Sequence, residues 1–473
     1  MLSAIQEVGP VDVLLTHSNH VFNDRKQTEK MQPYPPLQTL LAASVLQQAD
    51  LSVAFCDVTF DAPEDKFEAM LRSRTPRLVV VCEDDFNFLS KMCLGRNREV
   101  AFRMAKAARR YGLAIAVHGS DASDHVSQYL EAGFHYVLIG EVETTLLELA
   151  QDIPVTEIAG LAYLSGTTGK VRYNLKRGLR ASLDSLPRPA WHLVDMDQYR
   201  KAWLDAHGYF SLNMVSSRGC PFKCNWCAKP VYGTAYHARS AQSVAEEMLF
   251  LKRKYRPGHI WFADDIFALS ARWTGEFSKA VVALNAQIPF KMQSRCDLMT
   301  RDTVSALKRA GCHEVWMGAE SGSQRILDAM DKDIRVDQIY TARENLARHG
   351  IRAGLFLQFG YRGECWEDIE STLRMVRETR PDDIGISVSY PLPGTKFYQL
   401  VSSEMKAKLN WSDSGDLAMM FHGTYSSGFY RALADALHLE VRQPGSHDAI
   451  RTAWARVHEI EAEAASSRVG VLS

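Results

Sequence analysis

Apolar runs alternate with helical stretches through the first third of the chain. Val11–Leu15, Ser52–Asp57, Arg77–Cys82, Ala114–Val117 and Tyr136–Ile139 read as buried strands, and Leu37–Gln48, Asp65–Arg72, Arg98–Tyr111 and Asp124–Ala132 as the helices between them. Continuous apolar strands separated by helices predict a doubly wound parallel sheet, with its ligand site beyond the carboxyl ends of the strands. Gly160–Asn174 then alternates as a small hairpin, and Leu186–Trp191, with two prolines, must be extended or turned. Residues 156–207 therefore read as a linker, a strap between domains.

A second alternating series begins at Phe210. Strands are expected at Phe210–Val215, His259–Ala263, Phe290–Ser294, Glu314–Met317, Arg352–Phe359 and Ile384–Ser389. Helices are expected at Arg272–Ala286, Asp302–Ala310, Ser323–Met330, Val336–His349 and Glu367–Thr379, with Ser243 and Glu246 read as a capping box before an apolar helix face of Val244, Met248, Leu251 and Tyr255. Six such units suit a partial, open barrel with its site at the strands' carboxyl ends. The tail, 401–473, is expected to be helical at Gly428–Val441 and Asp448–Ala465 and frayed over Ala464–Ser473. Trp411, Phe421, Tyr425, Phe429 and Tyr430 are core, or close the barrel's open side.

Composition narrows the classes. With 473 residues, two or three domains are expected, and 46% hydrophobic with 23% charged residues is ordinary for a globular chain. The net charge of −1 with scattered basic residues gives no footprint for nucleic acid or an anionic membrane. No apolar stretch is long enough to span a bilayer and no signal peptide is visible, so a cytoplasmic protein is expected. Of nine cysteines only Cys220, Cys224 and Cys227 are clustered. The other six read as reduced, mostly buried thiols rather than a disulfide framework.

The chemistry concentrates in Arg218-Gly-Cys-Pro-Phe-Lys-Cys-Asn-Trp-Cys-Ala-Lys-Pro230. Three thiolates in a CxxxCxxC pattern can hold a four-iron cluster and leave one iron open to a ligand. With Trp226 before the third cysteine, this loop resembles the cluster loop of the radical S-adenosylmethionine (SAM) superfamily. The preceding strands and the loops His118–Asp121 and Gly140–Thr145 resemble the cobalamin-binding domain of cobalamin-dependent radical SAM enzymes. The tail segment Asp416–Tyr425 resembles that of proteins similar to the anaerobic magnesium-protoporphyrin monomethyl ester cyclase.

The resemblance implies a fold, cofactors and sites. A Rossmann-like cobalamin domain would occupy 1–155 and a partial (β/α)6 radical SAM barrel 208–400. Cys220, Cys224 and Cys227 would hold a [4Fe-4S] cluster. For SAM, the Asp264-Asp265 turn would face the amino group, Glu320 and Ser321 the ribose or carboxylate, with Arg295 nearby, and the Gly360 and Pro391 backbones would shape the adenine slot. A mutual Arg295–Asp297 ion pair is the other reading. Cobalamin would lie on Gly119, Ser120, Asp121, Gly140, Glu141, Thr144, Thr145 and the Asp57 strand end.

The chain departs from the family where His118 replaces one of a glycine pair, where Val142 replaces another glycine, and in lacking Asp-x-His-x-x-Gly. His17 and His20 read as solvated loop histidines, which leaves the lower axial ligand of cobalt open.

The function implied is modification of an unactivated carbon through a 5′-deoxyadenosyl radical, with C-methylation placed ahead of cyclase-like ring formation or rearrangement. The substrate would be a small molecule, lipid or natural product, and the electron donor a flavodoxin or ferredoxin. Two rivals differ in class. A structural zinc module using the three cysteines and His237 would want a second paired ligand set. A transfer-RNA methylthiotransferase would want a second cluster, for which Cys56, Cys82 and Cys93 are the available thiols, and a basic tail.

Overall fold

Five parallel strands open the chain, as the apolar runs predict. In the computed structural model, which describes residues 9–229 and 231–469 and the side chains as far as 463, they are β1 (Val13–Thr16), β2 (Val53–Cys56), β3 (Leu78–Cys82), β4 (Ala114–His118) and β5 (Tyr136–Leu138). Val13 pairs with both Val53 and Leu78, so β1 is interior, and the parallel order is 2-1-3-4-5. That is a doubly wound sheet, whose crevice opens where the order reverses, beside β1 and β3. The hairpin at 160–174 is no free strap. It forms β6 (Leu161–Leu164) and β7 (Val171–Tyr173), which extend the same sheet antiparallel from β5.

Leu14, Val79, Val81, Ile115, Val117 and Val137 put one face of this sheet into a core completed by Val100, Met104, Ala105 and Ala108 of the helix Gly95–Arg110. Helix Leu37–Gln48 is buried at ten consecutive positions, starting at Leu37, and its buried polar residues Gln38, Thr39 and Ser44 each have a side-chain hydrogen bond. Among the helices that the pattern did not predict are Val142–Ala150, directly after β5, and Met196–His207, which buries Tyr199 and Trp203 within the stretch expected as linker.

The chain divides into two compact units. The first holds residues to Pro221, Lys229–Asp265 and Asn410–Asp416; the second holds Phe222–Ala228, Ile266–Leu409 and Leu417 onward. Besides the seven-stranded sheet, the first contains the parallel pair β8 (Ser211–Met214) and β11 (His259–Phe262), and the short antiparallel pair β9 (Ser217–Arg218) and β10 (His237–Ala238). The helix between β10 and β11 runs from Ala241 to Lys254 and starts earlier than expected. Ser240, not Ser243, is its cap, accepting a hydrogen bond from the Ser243 amide at 3.2 Å.

The second unit carries β12 (Phe290–Ser294), β13 (Cys312–Glu320), β14 (Arg352–Phe359) and β15 (Asp383–Val388), parallel in that order. Helices Ala271–Ala283, Arg301–Ala310, Val336–Arg348 and Trp366–Thr379 alternate with them. The six parallel strands β8 and β11–β15 thus match the six expected in sequence order. Strand β13 runs three residues beyond its expected end, with a register shift between Gly318 and Glu320. The tail forms helices Ser427–Arg442 and His447–Val469; the expected fraying at Ala464–Ser473 falls partly on a helix and partly outside the described residues. Phe421, Tyr425, Phe429 and Tyr430 are all buried, with the Tyr425 and Phe429 rings stacked at 4.1 Å. No helix among the described residues is long and apolar enough to cross a membrane.

Candidate functional site

The first unit gathers polar groups at the carboxyl ends of its sheet. His17, directly after β1, is not solvated: it is 2% exposed, with Nε2 3.1 Å from Oδ1 of Asp57 at the end of β2. The neighbouring strand covers it. Tyr199 donates to the other Asp57 oxygen at 2.8 Å. Burial pushes the Asp57 carboxyl up, but the bonds from His17 and Thr59 outweigh it and hold the group at about 2. His20 is likewise tied, its Nδ1 2.9 Å from the Val58 carbonyl.

After β4, Gly119 adopts φ +148°, and a Cβ there would stand 2.8 Å from the Cβ of Glu83. Only glycine permits that approach. Ser120 is buried in the turn that follows. Asp121 accepts from Arg98 Nε and Tyr129 Oη, both at 2.7 Å. His118, where the resemblance implies a glycine, is fully buried with Nε2 2.5 Å from Asp85 and Nδ1 3.1 Å from the Leu138 carbonyl.

The loop after β5 begins at Gly140, φ +82°. Glu141 Oε1 accepts from Arg218 Nη1 at 2.8 Å, and Glu141 Oε2 from the Arg180 amide. Glu143 also pairs with Arg218 and accepts from Gln38 Nε2 at 3.0 Å, while Tyr232 donates to Gln38 at 2.9 Å. The Phe86 and Tyr232 rings flank the guanidinium at 5.8 and 5.4 Å. Burial opposes both charges, yet Arg218 holds Glu143 at about 2. Thr144 accepts from Arg180, and Thr145 donates to the Ala159 carbonyl at 3.0 Å. Among the residues expected on cobalamin, Asp57, Asp121, Glu141, Thr144 and Thr145 thus bond within the protein. Gly119 supplies a close backbone approach, and Gly140 a positive φ.

Arg218 is also the entry to the cysteine loop. The next residue, Gly219, has φ +77°, and a Cβ on it would lie 2.0 Å from the Ala235 carbonyl oxygen. Lys229 Nζ donates to the Cys220 carbonyl at 2.8 Å. The two serines before Arg218 are fixed by Asp264, which accepts from the Ser216 amide at 3.0 Å and from the Ser216 hydroxyl at 2.7 Å and also bonds Ser217. Burial raises the Asp264 carboxyl to about 6. Asp265 pairs with Lys91. A cavity of about 230 Å³ adjoins this entry, walled by Leu37, Leu41, Leu183, Pro187, Arg218 and Arg239.

In the second unit, Phe222–Ala228 is sewn to the turn after helix Gln324–Ala329. Asn225 donates its amide to the Met330 carbonyl at 3.0 Å and Nδ2 to the Ala329 carbonyl at 2.7 Å, and Tyr361 Oη lies 2.9 Å from Nδ2. Phe397 closes the ring by donating its amide to the Asn225 carbonyl at 2.9 Å. Two cations face the loop's aromatic residues. The Arg295 guanidinium lies 3.7 Å from the Phe222 ring centroid, and Lys332 Nζ 5.3 Å from that of Trp226. Arg295 also forms the ion pair with Asp297, at 2.9 Å, and donates to the Lys332 and Asp333 carbonyls.

Glu320, at the bulged end of β13, has φ +59° and holds Lys332 Nζ at 2.7 Å. A left-handed backbone at a non-glycine residue marks a position that the surrounding structure fixes against its preference. Burial pulls the Lys332 ammonium down, but Glu320 and Cys224 carry it above the usual lysine range. Ser321 bonds Thr372 at 3.1 Å. Gly360, φ +73°, donates its amide to Glu364 at 2.6 Å, and a Cβ on it would meet Met419 at 2.9 Å. Pro391 is buried in the loop after β15.

The thiols separate into two populations, with Cys365 half-buried between them. Cys56, Cys82, Cys93, Cys296 and Cys312 are buried and their pKa values are raised by desolvation, that of Cys296 to about 12. Cys220 and Cys224 are half-buried and Cys227 is exposed, none of them in a disulfide, in a loop whose flanks are fixed. This donor chemistry fits an iron–sulfur cluster. Among the described residues no three His, Cys, Asp or Glu side chains converge as ligands of a metal ion.

Sequence reasoning missed the groups that hold the loop: Glu143, Lys332, Asn225, Tyr361 and Ser216. Arg218 and Asn225 stood inside the quoted motif and could have been noticed there.

Comparison with known proteins agrees with this layout. Residues 214–376 match the Radical SAM superfamily. An uncharacterized methyltransferase of Pyrococcus horikoshii is 30% identical over 282 residues, 58% of this chain and 60% of that protein. The anaerobic magnesium-protoporphyrin IX monomethyl ester cyclase of Rubrivivax gelatinosus is 23% identical over 53% of this chain and 44% of its own length. The chain therefore spans about half of these relatives. Among solved structures, the radical SAM methyltransferase TsrM of Kitasatospora setae, with cobalamin and a [4Fe-4S] cluster bound, superposes with a TM-score of 0.65 at 19% identity, over 80% of this chain and 72% of that one. Residues 214–376 are a radical SAM domain, and the chain has the fold of a radical SAM methyltransferase that was solved with cobalamin and a [4Fe-4S] cluster bound.

Proposed function

We propose that the protein is a cobalamin-dependent radical SAM enzyme that methylates an unactivated carbon of a small-molecule, lipid or natural-product substrate. The observation that carries this reading is the presence, in one chain, of a radical SAM domain at 214–376 and a 2-1-3-4-5 sheet whose β4 and β5 loops open with positive-φ glycines. Cys220, Cys224 and Cys227 would hold the cluster. Asp264, Asp265, Arg295, Glu320, Ser321, Gly360 and Pro391 lie on the strand-end loops assigned to SAM. Gly119, Ser120, Asp121, Gly140, Glu141, Thr144, Thr145 and Asp57, which follow the carboxyl ends of β4, β5 and β2, would face cobalamin. When bound, these groups supply one-electron cleavage of SAM and a transferable methyl group. The chain itself supplies the fixed loop, the buried charges and the exclusion of water. A flavodoxin or ferredoxin would deliver the electron, in the cytoplasm.

Methylation stands ahead of ring formation because the methyltransferase relative is the more similar of the two, 30% identical against 23%. The test is anaerobic reconstitution with iron, sulfide and hydroxocobalamin, followed by reaction with methyl-deuterated SAM, dithionite and a metabolite extract. Methylation predicts 5′-deoxyadenosine, S-adenosylhomocysteine and a metabolite three deuterons heavier. Deoxyadenosine without S-adenosylhomocysteine would favour the cyclase-like reaction instead.

A further inference from the structure

The cations beside the cysteine loop differ in how their charge is spent. Arg295 faces both oxygens of Asp297, at 2.9 and 3.3 Å, and donates to two carbonyls. Four of its five N–H donors are engaged, and it works as a brace on Phe222. Lys332 is 5% exposed, touches one carboxylate oxygen, Glu320 Oε1, and lies over the ring of Trp226, the residue between Asn225 and Cys227. Its position is not adjustable. Asn225 is bonded to the carbonyls of Ala329 and Met330, and the Lys332 amide donates to the Leu327 carbonyl at 3.0 Å, so the turn and the loop are fixed to each other.

Resting on the functional reading above, we propose that Lys332 is a positioning residue whose buried ammonium makes the cluster on Cys224 and Cys227 easier to reduce. The physics is elementary. Reduction adds one electron, taken from dithionite in vitro, to a cluster that already carries thiolate charge. A fixed positive charge in a poorly solvated setting lowers the energy of the more negative state. Glu320 sets where the ammonium sits, and its left-handed backbone at the end of β13 is what aims the carboxylate there. Water screens an ammonium this buried only weakly, so the part of its charge that the Glu320 carboxylate does not offset acts on the loop.

The test is an anaerobic redox titration of the reconstituted chain without SAM, followed by electron paramagnetic resonance, on wild type, K332R, K332M and the charge-balanced K332M/E320Q. At a fixed applied potential the reduced-to-oxidised ratio of K332M is expected to fall about tenfold, which is about 59 mV for a one-electron couple. K332R, which keeps the charge, is expected to stay within about threefold of wild type, and the double variant to fall between wild type and K332M.

A cluster in K332M that reduces as readily as wild type overturns the inference. If K332M takes up no iron, the double variant decides: a lowered ratio supports the role, and an unchanged ratio overturns it. A wild-type chain that stays colourless overturns the functional reading itself, and this inference with it.

Discussion

Arg218 places Nη1 2.8 Å from Oε1 of Glu141, so the loop that follows β5 is bonded to the residue two positions before Cys220. Both side chains are under 10% exposed, and Glu143 completes the pair. Removing one partner from such a buried set leaves charge without compensation, and this typically costs about 3–5 kcal/mol. Arg218→Met is therefore expected to lose about that much stability in urea unfolding of the cluster-free chain. Arg25→Ala, which breaks an exposed pair with Glu29, is expected to leave the midpoint unchanged.

Gly219→Ala tests the loop entry more locally. The added Cβ would lie 2.0 Å from the Ala235 carbonyl, on a backbone with φ +77°. Iron bound per chain after reconstitution is expected to drop severalfold while the far-ultraviolet circular dichroism stays that of wild type, since only a short β9–β10 contact is disturbed.

The thiol populations predict an alkylation pattern. Iodoacetamide at pH 8 should modify Cys220, Cys224 and Cys227 of the apo chain well before Cys56, Cys82, Cys93, Cys296 and Cys312, because only thiolates react and burial pushes the latter group up. Peptide mass spectrometry reads this directly. Reconstitution should then protect the first three and leave the others as they were.

Glu364 predicts a pH dependence. Burial raises its carboxyl to about 8 from an ordinary 4.5, against a single compensating bond from the Gly360 amide. The folded chain therefore holds a proton that the unfolded chain releases between those values. Its contribution to stability is complete below about 4.5 and is lost as pH rises through about 8. Wild type should lose stability relative to Glu364→Gln across that window, at up to about 1.4 kcal/mol per pH unit, with no further change above it. Thermal melts of both chains from pH 5 to 9 measure the difference.

What was legible in the sequence follows from the range of the interactions. Strands β1–β5 announce themselves because a parallel strand covered on both faces is apolar along its length, and the cysteines because one cluster needs its thiolates close in the chain. Glu143 was unreadable because its partner Arg218 is 75 residues away. His17 read as a solvated loop residue for the same reason, since Asp57, which covers it, is 40 residues on. At the helix Ala241–Lys254 the pattern favoured Ser243, three residues before Glu246, whereas the hydroxyl that caps the helix is that of Ser240, directly before it. Lys332 carries no local signal at all; only the turn around Ala329–Lys332 brings it to Trp226.

The central claim is that Cys220, Cys224 and Cys227 hold a cluster that cleaves SAM reductively, and 5′-deoxyadenosine formation tests it most directly. The reconstituted wild-type chain, given SAM and dithionite without oxygen, is expected to form 5′-deoxyadenosine, and Cys224→Ala to form none above background. Formation at the wild-type rate by Cys224→Ala, or a colourless wild-type chain that forms none, would contradict the account.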